Sequence, residues 1–319
     1  MITPLVSVIC DVYNHEKYIE NALDGILSQK TDFNFEILVH DDASTDRSRD
    51  IICSYEKKYP KIIKPLYQTV NQYSRGINGI DLTFQFPRVR GQFVAFCEGD
   101  DNWCCCDKMQ KQIDAFREYP DVDFCAHAAY MKSSDKIIKI ISPSENKCVL
   151  PLREVISGGG GYVATSSIMI RRKVIESLGM FYRKYPFDYS LQIAAAMTGG
   201  MIFIPEILSV YNYCSTGSSW SANCNSNKLK KIEWQKKVIN MLEFFCDEYP
   251  WHRGITSNAI NRAKSDLLLM EGKYRNVLTD KKMFLSLNTS ARIKVLLGLL
   301  FGDNFINIVN SVRYNLFSH

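Results

Sequence analysis

Residues 6–29 read VSVICDVYNHEKYIENALDGILSQ, and this stretch decides the fold. Val6 to Cys10 is a short run of mostly branched apolar residues, which is typical of a strand buried in a parallel sheet. Asn14 stands in the polar loop that follows, where a helix N-cap is expected. The next apolar residues recur at helical spacing, namely Tyr18, Ile19, Ala22, Leu23, Ile26 and Leu27. The stretch therefore predicts a strand, a loop and a helix.

The same unit recurs directly downstream. Glu36 to Val39 is a second candidate strand, the loop DDASTD follows it, and a helix is predicted from Arg47 to Tyr59, where Pro60 ends it. A third strand, Phe93 to Cys97, precedes another predicted helix, Lys108 to Tyr119. Strands that alternate with helices in this way predict an α/β fold with a parallel sheet.

Acidic residues follow two of these strands at the point where each strand ends. Asp41 and Asp42 come after the second strand, and the cluster EGDD, which spans residues 98–101, comes after the third. The carboxyl ends of parallel strands share one edge of a sheet, and ligands bind at that edge in open α/β folds. Carboxylate oxygens are hard ligands that suit Mg²⁺ or Mn²⁺ together with substrate phosphates.

Composition excludes several classes of protein. The chain has 319 residues, of which 46% are hydrophobic and 23% charged, so it is neither disordered nor a membrane-embedded bundle. A net charge of +5 is too small over this length to indicate a nucleic-acid partner. Eleven cysteines, an odd number, and a start without a signal-peptide pattern favour a reducing cytoplasm.

Positive charge is concentrated in the last third of the chain. Residues 225–319 hold 15 basic and 8 acidic residues, and their apolar residues fall at helical spacing. We therefore predict a domain over residues 1–224 and a basic, helical extension over residues 225–319. The run VLLGLLF, residues 295–301, is too short to span a bilayer. Two interpretations stay open for it: peripheral contact with an anionic membrane on its inner face, or a helix that caps the core.

These segments resemble the family 2 glycosyltransferases with the GT-A fold, particularly those of bacterial surface-polysaccharide synthesis. The resemblance spans roughly residues 4–224 and is carried by VSVICDVYNHEKYI, FEILVHDDASTD, FVAFCEGDDNW, GGGGYVATSSIMIRR and VYNYCSTGSSWS. It implies an α/β fold whose Rossmann-like, mostly parallel central sheet is flanked by helices, with a C-terminal helical extension.

The resemblance also implies roles for individual residues. Asp188 would be the catalytic base, and Asp100 would bind the Mn²⁺ or Mg²⁺ that bridges the diphosphate. The nucleotide-sugar site would comprise Asp11, Val12, Tyr13, Asp41, Asp42, Glu98, Gly99 and Asp100. The acceptor side would include Trp103, Thr165 and Ser166. A metal on one side of the sugar and a base on the other is the arrangement that inverts the anomeric centre.

The expected function is transfer of a sugar from a nucleotide-sugar, in particular a UDP-sugar, to a hydroxyl of a saccharide or lipid-linked acceptor in polysaccharide biosynthesis. Cys214 stands where relatives often have a metal-binding histidine, which leaves open a non-catalytic nucleotide-sugar-binding partner protein. A sugar nucleotidyltransferase is the third alternative, although it requires a glycine-rich loop with basic residues after the first strand. Residues 11–20, which follow the first strand, contain neither glycine nor arginine.

Overall fold

The computed structural model describes residues 3–134, 136–215, 221–222 and 227–300. The chain divides into two compact units, Met1–Ser219 and Trp220–His319. The predicted boundary between residues 224 and 225 lies outside the described residues. The same is true of residues 216–220, which belong to the segment VYNYCSTGSSWS, and of the segment after residue 300.

One sheet organises the first unit. Its strands are β1 Val6–Val12, β2 Phe35–Asp41, β3 Ile63–Tyr67, β4 Phe93–Phe96, β5 Asn102–Trp103, β6 Phe124–Ser133, β7 Lys136–Ile141, β8 Cys148–Leu150, β9 Met169–Arg171 and β10 Met201–Asn212. The order is β3-β2-β1-β4-β9-β6-β10-β5, while β7 pairs with β6 and β8 pairs with β10.

The sheet has two halves that differ in strand direction. The first half, β3-β2-β1-β4, is parallel throughout, and we call it the donor half because the resemblance expects the nucleotide-sugar there. The remaining strands, β9-β6-β10-β5 with β7 and β8, are called the acceptor half for the same reason. In it, β9 is antiparallel to both β4 and β6, whereas β6 and β10 are parallel to each other. Because two reversals restore the direction, β6 and β10 end at the same edge as β1 and β4. This is the edge at which the acidic residues were predicted.

Helices cover both faces of this sheet. They are α1 Ile19–Leu27, α2 Ser48–Lys58, α3 Lys108–Glu118, α4 Leu152–Gly158, α5 Arg172–Glu176, α6 Met180–Lys184 and α7 Asp188–Ala196. The first three helices form one layer and the other four form the opposite layer. The sheet lies between the two layers, which leaves the strand ends as the open edge.

Alternate residues of β1 face these opposite layers. Val8 belongs to the same buried cluster as Leu23 of α1 and Ile113 of α3. Ile9, the next residue, belongs to the cluster that includes Val155 of α4 and Leu191 of α7. Both faces of the strand are therefore buried, as its apolar sequence without alternation predicts.

The second unit is helical in its described residues. Its helices are α8 Lys228–Glu248, α9 Arg253–Met270, α10 Tyr274–Thr279 and α11 Lys281–Ser286, and residues 289–300 are also helical. Ile239, Leu242 and Phe245 of α8 are buried, as their helical spacing predicts. Among the described residues, no helix is both long enough and apolar enough to cross a membrane.

Candidate active site

The ends of β1 and β4 meet in a close backbone contact. The N–H of Gly99 donates to the carbonyl oxygen of Asp11 at 2.9 Å. A Cβ atom on Gly99 would lie 2.8 Å from Val12 Cγ2 and 2.9 Å from His15 Nδ1, so a side chain does not fit there without displacing them. Glycine at position 99 therefore allows the acidic loop to lie directly against the end of β1.

Two carboxylates in this region are open to solvent, those of Glu98 and Asp188. Protein nevertheless surrounds both groups, and the resulting loss of hydration raises the pKa of each. The Asp188 carboxylate further raises the pKa of Glu98, as do those of Asp100 and Asp101. Repulsion of this kind requires the groups to be near one another, so the structure brings Glu98, Asp100 and Asp188 together.

Asp100 and Asp101 are buried and are held by the end of β10. The Asn212 side chain donates to the Asp100 carbonyl oxygen at 2.7 Å, and the Asn212 N–H donates to Asp101 Oδ1 at 2.9 Å. The Ser215 hydroxyl donates to Asp100 Oδ2 at 2.5 Å. The segment that follows β10 thus reaches the acidic loop through Ser215, the residue next to Cys214.

The residues around Asp100 fit a divalent cation. His15 Nδ1 is buried without a hydrogen-bond partner among the described residues. His15 Nε2 lies 3.9 Å from Asp100 Oδ2. No three His, Cys, Asp or Glu side chains in the described ranges are arranged to enclose an ion by themselves. Substrate oxygens and water would complete the coordination, as is common for Mg²⁺ and Mn²⁺.

Asp188 is the first residue of α7. The Thr165 hydroxyl donates to Asp188 Oδ2 at 2.6 Å, which favours the ionised form and so lowers the pKa that loss of hydration raises. Phe187 holds the N-cap position of this helix, and its N–H donates to Ser190 Oγ at 3.2 Å. The N-cap is therefore Phe187, and the Asp188 carboxylate faces the acidic cluster with one oxygen held by Thr165.

Asp11 lies in a second polar group on the donor half. Gln85, which is fully buried, donates from Nε2 to Asp11 Oδ1 at 2.8 Å, and His40 Nδ1 lies 3.7 Å from the same oxygen. Burial and the Asp11 carboxylate raise the pKa of Asp81. Asp81 begins a short π-helix, Asp81–Gln85. Gly79 lies two residues before it, with φ of +73°, and a Cβ there would lie 2.7 Å from the Cβ of Pro186.

Asp41 and Asp42 are buried and bind backbone groups. Asp42 Oδ1 accepts from the N–H of Gln72 at 2.7 Å, and Asp42 Oδ2 accepts from the N–H of Tyr73 at 3.1 Å. Asp41 Oδ1 accepts from the N–H of Ser44 at 3.2 Å. These two carboxylates therefore fix the loops around the predicted nucleotide pocket.

The predicted nucleotide residues of β1 lie beside these loops. The Asp42 N–H donates to the carbonyl oxygen of Val12 at 2.9 Å, which ties the ends of β1 and β2 together. Tyr13, the next residue, is half-buried. The structure thus brings Asp11, Val12 and Tyr13 to the same strand edge as the acidic loop.

Trp103 and Ser166, which were expected on the acceptor side, are buried and offer no surface to an acceptor. Trp103 Nε1 donates to the Ser166 carbonyl oxygen at 3.0 Å, and the Ser166 hydroxyl donates to Ser209 Oγ at 3.2 Å. Lys108 Nζ lies 3.8 Å from the centre of the Trp103 ring. Of the three predicted acceptor-side residues, Thr165 alone reaches the solvent-open part of the site, through its bond to Asp188.

A family model described as glycosyl transferase family 2 matches residues 7–179. The chain belongs to glycosyl transferase family 2. An uncharacterized glycosyltransferase of Nostoc sp. strain PCC 7120 is 31% identical over 176 residues, which cover 54% of this chain and 52% of the relative. A putative teichuronic acid biosynthesis glycosyltransferase of Bacillus subtilis strain 168 is 36% identical over 115 residues, 36% of this chain and 43% of the relative. The predicted family and class of enzyme are confirmed.

Solved structures share the fold of this glycosyltransferase. TarS 1–349 of S. aureus in complex with UDP-GlcNAc aligns with a TM-score of 0.59 at 16% identity, over 97% of this chain and 92% of that one. The mannosyltransferase PcManGT of Pyrobaculum calidifontis, in complex with GDP-Man and Mn²⁺, aligns with a TM-score of 0.57 at 17% identity, over 94% and 88%. The α/β GT-A fold with C-terminal helices is confirmed.

Several residues of the candidate site were not predicted from the sequence. Asp81, Gln85, Asn212 and Ser215 all contact or influence the acidic residues. Gln85 and Asn212 are ordinary polar residues in sequence, and their contacts join positions more than 70 residues apart. Ser215 carried a detectable signal, because it directly follows Cys214, the position where relatives often have a metal-binding histidine.

Proposed function

We propose that this glycosyltransferase is metal-dependent and inverting, and that it moves a sugar from a UDP-sugar to a hydroxyl of a saccharide or lipid-linked acceptor in polysaccharide biosynthesis. The complexes of TarS with UDP-GlcNAc and of PcManGT with GDP-Man and Mn²⁺ support a nucleotide-sugar donor and a divalent ion. The name of the Bacillus subtilis relative supports an acceptor in cell-surface polymer synthesis.

One observation carries the proposal: the carboxylate of Asp188, from the acceptor half, lies near Glu98 and the acidic loop of the donor half. A diphosphate bound beside Asp100 would add further negative charge to a region that already holds several carboxylates. Such a site needs a cation, which Asp100 would bind together with diphosphate oxygens. When bound, a divalent ion supplies stabilisation of the negative charge that develops on the leaving diphosphate.

Asp188 is suited to accept a proton from the acceptor hydroxyl. Thr165 holds Oδ2, and we assign Oδ1 to the acceptor. Loss of hydration raises the pKa of the Asp188 carboxyl, which makes the carboxylate a stronger base than an ordinary surface aspartate. Proton removal on the side of the sugar away from the leaving group is what an inverting reaction requires.

The nucleotide would lie against Asp11 to Tyr13, between the loops that Asp41 and Asp42 hold. Because the Asp42 carboxylate already accepts two backbone N–H groups, its contribution to uracil binding would be to fix the loop at residues 72–73. Glu98 is open to solvent and would face the ribose. Gly99 would contribute by letting the acidic loop lie against the end of β1, because Val12 and His15 occupy the space that a Cβ would fill.

Two alternatives receive less support. A non-catalytic binding partner would have no need for an oriented base, yet Thr165 orients Asp188 beside the acidic cluster. A sugar nucleotidyltransferase is disfavoured by membership of glycosyl transferase family 2. Transfer or donor hydrolysis, measured with purified protein, would distinguish an enzyme from a binding partner.

A cytoplasmic, peripheral position at the inner face of the membrane is part of this proposal, without a nucleic-acid partner. The helix at residues 289–300 exposes Ile293, Leu296, Leu299 and Leu300. These residues recur at intervals of three and four, so they lie on one face of the helix. Together with the positive charge of residues 225–319, such a face suits an anionic membrane surface.

The proposed metal dependence predicts that Asp100→Ala abolishes the effect of Mn²⁺ on UDP affinity, because the ion loses its carboxylate. Calorimetric titration of UDP with and without Mn²⁺ measures this directly. Asp107→Ala is the matched control, since Asp107 is a nearby acidic residue that pairs with Lys111 instead. Equal UDP affinity for wild type and Asp100→Ala in Mn²⁺ would contradict the proposed site.

A further inference from the structure

Strand β7 exposes an unusual amount of apolar surface. Ile137, Ile138 and Ile140 are 57%, 51% and 51% exposed, although isoleucine is among the residue types most often buried. Lys136 and Lys139 of the same strand are exposed as well. Exposed apolar residues grouped in this way mark an interaction surface more often than isolated ones do.

A bulge gives this strand two different faces. The pairing of β6 with β7 shifts between Met131 and Lys132, so that Ile140 lies opposite Tyr130 while Ile137 lies opposite Lys132. Residues 130 and 132 of β6 share one face, and therefore Ile137 and Ile140 share that face too. Lys136 and Lys139 lie opposite residues 133 and 131, which places them on the other face.

The strand also lies close to the active site along the sheet. Lys132, which pairs with Ile137 of β7, pairs on its other side with Asn212 of β10. Asn212 in turn binds both Asp100 and Asp101. The start of β7 is thus two strands away from the residue that holds the acidic cluster, at the edge of the sheet where donor and acceptor would meet.

We propose that β7 docks on an anionic lipid surface and brings the active site to a lipid-linked acceptor. An element with one apolar and one basic face lies in the membrane interface with its apolar face inward and its lysines among the headgroups. Lysines on an edge strand oppose pairing with another strand, which disfavours a second copy of the chain as the occupant. This inference rests on the lipid-linked acceptor proposed above.

Flotation of the full-length protein with phosphatidylcholine vesicles, with and without phosphatidylglycerol, tests the proposal. The variant replaces all three isoleucines, Ile137→Ser, Ile138→Ser and Ile140→Ser. Its partition onto anionic vesicles is expected to fall at least about tenfold, because the apolar face formed by Ile137 and Ile140 no longer enters the interface. The matched control, Val70→Ser with Met180→Ser, removes exposed apolar side chains elsewhere in the same unit and is expected to float like wild type.

A second variant tests whether the lysines of β7 contribute to vesicle binding. Lys136→Glu with Lys139→Glu is expected to weaken the preference for phosphatidylglycerol, and added salt should weaken wild-type binding. Thermal unfolding and Mn²⁺-dependent UDP binding, measured on every variant, show whether the fold and the donor site are intact. Intact UDP binding with lost flotation supports the docking surface, and lost UDP binding in Asp100→Ala concerns the proposed function alone.

Three outcomes would overturn the docking proposal. In the first, wild type does not float with anionic vesicles. In the second, the isoleucine variant floats like wild type, whereas the variant Ile293→Ser with Leu296→Ser no longer floats. That result would assign membrane contact to the helix at residues 289–300. In the third, the isoleucine substitutions convert a dimer into a monomer without changing flotation, which would make β7 an interface between copies.

Discussion

The two halves of the sheet contribute to the site in different ways. In the donor half, the acidic residues lie at or directly after the ends of parallel strands, and the fold alone brings Asp11 and Glu98 to one edge. In the acceptor half, Thr165 comes from a short helical turn, Asp188 from the start of a helix, and Asn212 from the end of the longest strand. The donor side is thus fixed by strand direction, and the acceptor side by long-range side-chain contacts.

This difference indicates how each side can change. Replacing a residue at a strand end of the donor half disturbs the backbone contact between β1 and β4, so it affects folding and donor binding together. Replacing Asp188 or Thr165 removes a side chain whose backbone is held by other contacts. Substitutions in the acceptor half should therefore change the transfer rate with a smaller effect on stability than substitutions in the donor half.

The largest expected effect is that of Asp188→Asn. We expect sugar transfer to fall at least about a hundredfold, since a positioned general base typically contributes ~10²–10⁴ in rate. UDP-sugar affinity and thermal stability should stay close to those of wild type, because asparagine still accepts the hydrogen bond from Thr165. Transfer rates measured with the acceptor or a surrogate check this, and a loss of only a few-fold would return Asp188 to a structural role.

Gly99→Ala tests the donor half, where we expect a loss of stability to accompany the loss of donor binding. The added Cβ meets Val12 Cγ2 at 2.8 Å and His15 Nδ1 at 2.9 Å, and overpacking of this kind costs roughly 1–3 kcal/mol. Stability and Mn²⁺-dependent UDP binding should fall together. Gly161→Ala is the control, because a Cβ there has nothing within 4 Å. If Gly99→Ala were as stable as Gly161→Ala, the close approach of β1 and β4 would not constrain the site.

Lys108, which lies beneath Trp103, offers a test by pH. Burial lowers the pKa of this lysine to about 7, whereas an unfolded chain has a value near 10.4. Between these values the unfolded chain binds more protons, so the stability of wild type should rise with pH relative to Lys108→Met, by roughly 1 kcal/mol per pH unit.

Chemical denaturation at several pH values measures the effect of Lys108. Lys30→Met is the control, because Lys30 is exposed and its replacement should leave the pH profile of stability unchanged. Parallel profiles for wild type and Lys108→Met would contradict the lowered pKa.

The smallest effect concerns Thr165. Loss of hydration raises the pKa of Asp188, and the Thr165 hydroxyl lowers it. Transfer requires ionised Asp188, so the rate should rise as pH increases through that raised pKa. Thr165→Val removes the hydroxyl and should move this acid limb to higher pH without abolishing transfer at neutral pH. If the acidic side of the pH–rate profile were the same in Thr165→Val and wild type, the pH dependence would not arise from Asp188.

Sequence periodicity predicted the donor half closely. The bounds of β1, β2 and β4 and of α2 and α3 agree with the predicted ones within two residues, because local apolar spacing determines buried strands and amphipathic helices. The predicted N-cap at Asn14 is wrong. Asn14 has φ of +57°, its side chain accepts from the N–H of Thr45 at 2.8 Å, and α1 begins only at Ile19.

The acceptor half was predicted less well for a physical reason. Whether Trp103 faces an acceptor or the core depends on Lys108 and Ser166, which reach it through tertiary packing. The contact between Ser215 and Asp100 likewise joins residues 115 positions apart. Local spacing carries no information about such pairs. The family resemblance proposed Asp188 as the base and placed Thr165 on the acceptor side, but the hydrogen bond between them became visible only in the structure.

The contact between Gly79 and Pro186 has a consequence for protein engineering. A side chain at position 79 would collide with Pro186, whose segment leads into Asp188. The turn before the π-helix Asp81–Gln85 and the segment before the proposed base thus fit each other as a matched pair. Variant libraries that change residues 185–187 to alter acceptor preference should therefore retain Gly79. If segments are exchanged between related enzymes, both segments should come from the same parent, because mismatched segments would no longer pack against each other.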